Sequence, residues 1–372
     1  MAMPRAVRRT NPITVILAAV LAIGFLFFIL SPAGDSVSVS TARRKIASAA
    51  AHPLSPPTAP FVKEEAGSQR KPPPVVHYHL NNVTTTTDPI TNEETVLVLT
   101  PLTRFYQGYW DNLAALTYPH SLIALGFIIP QTKEGHAATQ LLQNAIAETQ
   151  NGPEEKRFAS ISILRQDFDP PIQSQDEAER HKKENQKARR GAMARARNSL
   201  LFTTIGPSTS WVLWIDSDII ETPKTLIQDL TSHDKPVLVA NCFQRYINDK
   251  GKKDIRPYDY NSWQDSQVAA DMAASMGPDD IIMEGYDMAT YRTLMAMNAD
   301  TNESRDQKAI IPLDGVGGTT LMVKAEVHRD GAMFPPFPFY HLVETEGFAK
   351  MARRLGWGCW GLPNYFVFHY NE

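Results

Sequence analysis

Cysteine is scarce in this sequence, because the 372 residues include only Cys242 and Cys359. So low a number excludes a fold held by several disulfides and a metal cluster built from cysteine thiolates. The spacing of the two thiols leaves open whether they pair or remain free. The sequence also has no glycine-rich phosphate-binding motif and no repeat of fixed period, which excludes the common nucleotide fingerprints and the repeat architectures.

A large net charge is missing as well. The formal charge at pH 7 is -3, and no basic stripe is interleaved with aromatic residues, so nucleic acid is not an expected partner. The hydrophobic fraction of 43% is ordinary for a globular protein. A chain of this length can therefore form one large domain with additional segments.

The first 30 residues have an exceptional pattern. Three arginines within residues 1–12 precede an uncharged run from Ile13 to Leu30, which is long enough to cross a bilayer as a helix with its basic flank in the cytosol. A cleaved signal peptide is the alternative, although its apolar region is normally shorter and residues 31–34 form a poor cleavage site. The pattern favours an uncleaved signal anchor at residues 13–30, with residues 1–12 as a cytosolic tail.

The segment at residues 31–90 is rich in Ser, Ala, Pro and Thr and has no apolar period. Such a composition cannot bury enough surface to offset the entropy lost on ordering. We expect a disordered lumenal stem here, followed by a single domain at residues 91–372.

From Val96 onward, short apolar runs alternate with longer amphipathic segments. This alternation is typical of an α/β domain whose mostly parallel sheet carries helices on both faces. Ligands of such sheets collect at the carboxyl ends of the strands. The predicted strands are 96–100, 121–129, 158–164, 211–215, 237–240, 320–323 and 365–370, and the predicted helices are 105–116, 137–148, 176–205, 224–230 and one that begins near residue 344.

Two acids follow the apolar strand Trp211–Ile215, namely Asp216 and Asp218. Side chains two apart on an extended strand point the same way, so both carboxylates can leave the strand end together and share a divalent cation. A solvated acidic turn is the alternative. The strand before the acids and the helix expected after them favour the cation site.

Two basic residues are further candidates. In a regular helix Arg197 shares an inward face with Met193 and Leu200, whereas Arg195 points away. A solvated basic face explains these arginines equally well. His369 lies near the end of the last apolar strand, where an imidazole is more often a hydrogen-bonded core or surface residue than a ligand.

Three acids in the second half could bind a sugar. Asp314 precedes closely spaced glycines, which let a backbone approach a ligand, although an ordinary turn would look the same. Glu344 and Glu346 fall at a predicted helix N-terminus, where either could present itself to a sugar hydroxyl or simply cap the helix.

Several blocks of the domain carry a resemblance to a known family. They are Ala194–Asn198, Asp216–Asp218 with its strand, Asn241–Arg245, Pro257–Trp263, Leu313–Thr319, Phe339–His341, Glu344–Lys350 and His369–Glu372. From about Val96 to Glu372, the chain resembles the fungal mannan polymerase subunits of glycosyltransferase family 62. The tail beyond His369 is most like that of the subunit shared by both polymerase complexes.

The resemblance implies a type II Golgi membrane protein with a GT-A fold, the Rossmann-like fold of nucleotide-diphospho-sugar transferases. It also implies transfer of mannose from GDP-mannose onto the α-1,6-linked mannan of N-glycans, with retention, in a hetero-complex of homologous subunits. Family members use manganese, and the matching ligands here are Asp216, Asp218 and His369. Carboxylates with an imidazole suit that ion. The donor site is predicted to include Thr100, Pro101 and Arg197 in addition to the two aspartates.

The chemistry explains the need for a cation, because GDP leaves with negative charge concentrated on its β-phosphate. Retention requires either an enzymic nucleophile or attack on the face from which GDP departs. The sequence leaves both open, and same-face attack is the favoured hypothesis since no single acid stands out as nucleophile. Asp314, Glu346 and Glu344 are then the candidate catalytic residues that orient the acceptor.

Two other functions are compatible with parts of the pattern. Phosphatases of the haloacid dehalogenase type also carry two such acids after an apolar strand, normally the first strand of the domain. A subunit that serves mainly to assemble the complex is the other alternative, although an intact set of Asp216, Asp218 and His369 argues against a decayed site.

Overall fold

The computed structural model describes residues 75–167, 183–286, 288–302 and 304–371. The predicted cytosolic tail, the predicted transmembrane helix and most of the predicted stem lie outside these residues. Within the described ranges, no helix combines the length and the apolar character needed to cross a membrane.

The end of the predicted stem is attached to the domain. Tyr118 donates its hydroxyl to the carbonyl oxygens of Pro89 and Glu94, and the Glu94 carboxylate accepts from the backbone N–H of Thr86 and the indole N–H of Trp211. The folded region therefore begins a few residues before position 91.

Strands and helices alternate through the first half of the domain, as the sequence predicts. The interior strands are almost fully buried apolar runs, which suits a sheet covered on both faces. The strands are β1 (Thr95–Pro101), β2 (Ile123–Ile129), β3 (Ser160–Arg165), β4 (Thr209–Ile215), β5 (Ile219–Glu221), β6 (Val237–Ile247), β7 (Lys253–Pro257), β8 (Trp263–Gln264), β9 (Thr293–Leu294), β10 (Ile311–Leu313), β11 (Thr320–Lys324) and β12 (Cys359–His369). The helices are α1 (Gln107–Ala114), α2 (Lys133–Asn151), α3 (Lys183–Thr204), α4 (Leu226–Thr231), α5 (Gln267–Ser275), α6 (Ala325–Arg329) and α7 (Glu344–Arg354).

The main sheet has the strand order β10-β12-β6-β11-β4-β1-β2-β3. Its β4-β1-β2-β3 half is parallel, which confirms the prediction for that half. The other half is mixed: β12 runs parallel to β6, as predicted, but the prediction is wrong for β11, which runs antiparallel to both β4 and β6, and for β10, which runs antiparallel to β12. The regular alternation of strand and helix ends after β6, and strands that are not joined by crossover helices can pair in either direction.

The two cysteines are both free and buried. In the parallel pair of β6 and β12, Cys242 is opposite Val367, whereas Cys359 is opposite Val237 at the other end of the strands. The two thiols therefore lie too far apart along the sheet to form a disulfide.

Helix α3 and helix α7 cover one face of the sheet with an aromatic core. Phe334 packs edge-on against Trp214 and stacks on Phe348, with ring centroids 4.9 and 5.0 Å apart. His328 lies in the same core, where it accepts from the indole N–H of Trp214 at 3.3 Å and donates from Nδ1 to the carbonyl of Ala332 at 2.8 Å. Burial opposes the charged imidazolium and lowers the pKa of His328 to about 4.

This histidine predicts a loss of stability in mild acid. The unfolded chain binds a proton on His328 below its ordinary pKa of 6.5, whereas the folded chain resists protonation down to about pH 4. Acidification therefore favours unfolding, by about 2 kcal/mol between pH 7 and pH 5 for this group. Urea unfolding at both pH values should show that a His328→Gln variant has lost this part of the pH dependence. If the variant keeps the full pH dependence of the wild type, the His328 imidazole is not neutral in the folded protein.

Candidate functional site

The Asp216–Asp218 segment lies at the carboxyl end of β4, and the start of β5 follows directly. Strand β12 pairs with β5 at His369 and Ile219, which brings the last histidine of the fold to the acids. The Nε2 atom of His369 lies 2.9 Å from Oδ2 of Asp218, and the backbone N–H of Tyr370 donates to the carbonyl of Asp218. The pairing of β12 thus assembles a carboxylate and an imidazole that are 151 positions apart in sequence.

The geometry of His369 fits a metal ligand. Its Nδ1 donates to the carbonyl of Tyr370 at 2.5 Å, which directs Nε2 towards Asp218, yet Nε2 is buried and has no hydrogen bond of normal geometry among the described residues. A separation of 2.9 Å from the carboxylate oxygen is close to that of two adjacent ligands on one small cation. The ring of Tyr258 stacks on the imidazole at 3.6 Å and fixes its plane.

Asp218 also changes the pKa of His369. Burial opposes the imidazolium, but the close contact with the negatively charged Asp218 carboxylate outweighs it, so the pKa of His369 is raised. Together, one carboxylate and one imidazole provide two of the three predicted ligands. Across the described part of the chain, no three or more His, Cys, Asp or Glu side chains form a complete metal cluster.

Asp216, the third predicted ligand, is held by Arg197. The guanidinium donates from Nη2 to Asp216 Oδ1 and from Nε to Glu344 Oε1, each at 2.8 Å. The Arg197 side chain is 3% exposed, so the prediction that it turns inward is confirmed. Its Nη1 is buried without a hydrogen-bond partner within the described residues. Burial raises the pKa of Asp216 to about 6, although Arg197 opposes this shift.

Glu344 begins helix α7 in a strained conformation. Its φ is 59°, and two residues of the preceding loop, Tyr340 and His341, also have positive φ. Non-glycine residues in this region cost free energy and are concentrated at functional sites. The backbone N–H of Glu344 donates to the carbonyl of Pro335, so the strained turn is anchored as it delivers the carboxylate to Arg197.

A cavity of about 610 Å³ opens beside this network. It follows one face of α3 from Arg197 to Gln186 and is closed by the segment after β7, the loop around residue 285 and the start of α7. The lining includes both acidic and basic side chains as well as several aromatic rings. The residues that line it are Gln186, Arg189, Arg190, Met193, Arg197, Asp216, Gln244, Arg256, Pro257, Tyr258, Asp259, Tyr260, Asn261, Glu284, Gly285, Tyr286, Gly318, Thr319, Glu344 and Thr345.

Glu346 and Asp314, predicted to orient the acceptor, lie outside this lining. Glu346 is fully buried, forms an ion pair with Arg190 and accepts from the indole N–H of Trp263 at 2.9 Å. Asp314 forms an ion pair with Arg353 in the last turn of α7. Their catalytic roles stay predictions, and the geometry gives each carboxylate a partner within the protein. Glu346 is connected to the cavity through Arg190, which lines it.

Thr100 and Pro101, predicted at the donor site, end strand β1. The Thr100 hydroxyl is buried, donates to the carbonyl of Ile215 at 2.7 Å and lies 2.6 Å from the hydroxyl of Tyr109. It therefore fixes the end of β4 immediately before Asp216. Neither Thr100 nor Pro101 lines the cavity, so a direct contact of either residue with a donor stays a prediction.

Several lining residues received no role from the sequence. Asp259 is 4% exposed and accepts from the Ser262 hydroxyl at 2.5 Å and the Asn261 backbone N–H at 2.8 Å. Burial raises its pKa. Arg190 also reaches the cavity, although its neighbours suggested a solvated basic face. The only sequence signal was that Pro257–Trp263 is one of the matching blocks.

The glycines after Asp314 allow close packing of this site. A Cβ on Gly317 would lie 2.2 Å from Oδ2 of Asp259, and one on Gly318 would lie 2.6 Å from Nη2 of Arg197. Both glycines therefore approach the protein's own charged side chains at the cavity wall. This outcome combines the two interpretations of the segment, since it is a turn and it also borders the site.

A methyl group at Gly317 should displace the Asp259 carboxylate. We expect Gly317→Ala to lower the free energy of unfolding by about 1 to 3 kcal/mol. Gly206→Ala is the matched control, because its Cβ would meet only Thr209 Oγ1 at 3.7 Å, and we expect a change within about 0.5 kcal/mol. Urea unfolding measures both. Equal effects of the two substitutions would contradict the close packing at Gly317.

Comparisons with known proteins identify the relatives of this chain. A model of the Anp1 family matches residues 74–338. The chain is 58% identical over 286 residues to the mannan polymerase complex subunit mnn9 of Schizosaccharomyces pombe, covering 77% of this chain and 82% of that protein. It is 57% identical to the subunit MNN9 of Candida albicans, covering 77% of each chain. The mannan polymerase II complex ANP1 subunit of Saccharomyces cerevisiae is 37% identical, over 71% of this chain and 52% of that one.

Among solved structures, a crystal structure of GalNAc-T7 with UDP, GalNAc and Mn2+ aligns with a TM-score of 0.40 and 11% identity, over 75% of this chain and 44% of that one. Likeness at this level is too weak to carry an argument about the site. The family match covers most of the described domain, and the sequence identity to the two mnn9 subunits extends over three quarters of the chain. The chain therefore belongs to the Anp1 family, together with fungal proteins that are named as subunits of mannan polymerase complexes.

Proposed function

We propose that this protein is a retaining α-mannosyltransferase with a GT-A fold. In this proposal it transfers mannose from GDP-mannose to the α-1,6-linked mannan of N-glycans as one subunit of a mannan polymerase complex. The observation that carries the proposal is the convergence of Asp218 and His369 beside the Arg197-bound Asp216. Of these three predicted ligands, Asp216 lines one end of a large polar cavity, whereas Asp218 and His369 lie outside the lining. Membership of the Anp1 family supports the substrate class.

Asp218 and His369 would hold a manganese ion, with Asp216 next to it. When bound, such an ion neutralises the charge that collects on the β-phosphate as GDP departs. A carboxylate with an imidazole suits manganese better than magnesium or calcium, which prefer oxygen ligands.

Arg197 holds the two acids of the site in position. Its contacts with Asp216 and Glu344 join the end of β4 to the start of α7, and its buried Nη1 has no hydrogen-bond partner among the described residues. Since both carboxylates are bound to a guanidinium, neither is well placed as a nucleophile. This supports attack by the acceptor on the face from which GDP departs.

The location of the protein is part of the same proposal. The basic flank and the apolar run at residues 13–30 support a single-pass type II anchor, with the domain in the Golgi lumen beside its homologous partner subunits.

The test is a transfer assay on the full-length protein, purified in detergent alone and together with its co-purifying partners. The protein is supplied with GDP-mannose, Mn²⁺ and α-1,6-mannobiose. We expect it to form a trisaccharide, and NMR should show that the new linkage has the α configuration. Release of inorganic phosphate from a phosphomonoester would instead support the phosphatase alternative. A complex that keeps full activity with Asp216→Ala and Asp218→Ala in this subunit would support an assembly role.

A further inference from the structure

The cavity extends well beyond the proposed metal site. Three of its lining residues, Gln186, Arg190 and Arg197, lie on one face of α3, and Gln186 is about 16 Å from Arg197 along the helix axis. Asp216 and Glu344 mark the end at Arg197. The other end, at Arg190 and Gln186, therefore lies farther from Arg197 than the length of one monosaccharide.

An exposed aromatic ring lies at this distal end. Tyr260 lines the cavity and is 45% exposed. A Cβ on Gly285 would lie 3.9 Å from Tyr260 Cγ, so the ring is close to a residue without a side chain. The turn that presents the tyrosine is held on both sides, since Asn261 and Ser262 donate to Asp259. The ring is thus positioned but largely uncovered.

Two charged lining residues near Tyr260, Arg190 and Glu284, are already neutralised within the protein. Arg190 is paired with the fully buried Glu346 and donates to Oδ1 of Asn261 at 3.2 Å. Glu284 is paired with Arg292 at 2.9 Å, and Arg292 stacks on Trp263 at 3.6 Å. Paired charges beside an exposed ring favour a neutral ligand that both stacks and forms hydrogen bonds.

We propose that the distal end of the cavity is the binding site for a neutral, α-linked mannose oligosaccharide, with Tyr260 as the ring on which one sugar stacks. The C–H groups on one face of a pyranose are weakly positive and match the negative face of the phenol ring. Sugar hydroxyls can bond to Asn261 and Glu284, which line the same region. The inference rests on the proposed function and extends it, because it assigns the acceptor to the end of the cavity away from Asp216.

The experiment compares Tyr260→Ala, Tyr260→Phe and Tyr78→Ala in the full-length protein, and Tyr78 is the matched control because it is an exposed tyrosine outside the cavity. In Tyr260→Ala we expect the KM for α-1,6-mannotriose to rise about fivefold to tenfold, whereas the dissociation constant of GDP stays within twofold. Tyr260→Phe should recover most of the loss, and Tyr78→Ala should match the wild type.

Direct binding separates this inference from the proposed function. Saturation-transfer NMR with α-1,6-mannotriose should show contacts that Tyr260→Ala weakens, whether or not the protein transfers mannose. If mannose is transferred but Tyr260→Ala changes neither acceptor KM nor saccharide binding, the inference is wrong and the proposed function stands. If Tyr260→Ala weakens the binding of GDP instead, this end of the cavity binds the nucleoside, and the inference is also wrong.

Discussion

An Asp218→Asn substitution is expected to lower the rate of mannose transfer by about 100-fold or more, because a neutral amide replaces a carboxylate that balances a divalent cation. His369 Nε2 lies 2.9 Å from this carboxylate, so the amide would also leave the imidazole without its charged neighbour. The affinity for Mn²⁺ in the presence of GDP, measured by calorimetry, should fall together with the transfer rate.

Asp234→Asn is the control for this substitution. Asp234 is an exposed carboxylate that pairs with Lys324 at 2.6 Å, and surface pairs of this kind contribute little to stability. Both the Mn²⁺ affinity and the transfer rate should remain at the wild-type level. If Asp218→Asn behaves like this control in both measurements, Asp218 is not a metal ligand.

Replacing Arg197 with methionine should cost the fold about 3 to 5 kcal/mol at neutral pH, because two carboxylates would remain beside a buried site without their cation. The pKa of Asp216 is already raised to about 6 by burial, and Arg197 is the main group that opposes the shift. Without the guanidinium this pKa should rise further. The ionised form is then the unfavourable one in the folded state, so Arg197→Met should lose more stability at pH 8 than at pH 5.

Urea unfolding at the two pH values tests this prediction. Arg245→Met is the matched control, since Arg245 makes two hydrogen bonds to Glu221 but both side chains are about half exposed. We expect that control to cost about 1 kcal/mol or less. Arg197→Lys, which keeps the charge, should recover part of the stability. Equal losses in Arg197→Met and Arg245→Met would contradict a network of three residues around a buried Arg197.

Glu344 and Glu346, two acids of one helix, illustrate the limit of reasoning from local pattern. The sequence places Glu344 and Glu346 in the first turn of one helix, and both are found there. Residues two apart on a helix point in different directions. Glu344 faces Arg197 at the cavity, whereas Glu346 faces Trp263 and Arg190. Which of the two borders the site depends on the packing of α7 against α3.

The sequence by itself determined the elements whose signals are local. The apolar run of β4 with two acids after it is visible within residues 211–218. The parallel first half of the sheet follows from the alternation of apolar runs and amphipathic segments, and the inward face of α3 follows from the helical period of 3.6 residues. Each of these signals needs only residues that are close in sequence, so it can be recognised without knowledge of the rest of the chain.

Only the tertiary structure decided which distant groups meet. Strand β11 inserts antiparallel between β4 and β6, β12 carries His369 to Asp218, and α7 delivers Glu344 to Arg197, 147 positions away. Contacts of this kind depend on strand direction, register and helix packing, which are fixed by the burial of the whole core rather than by any short segment. The candidate site is therefore local in its strand and its two aspartates, and tertiary in the partners that surround them.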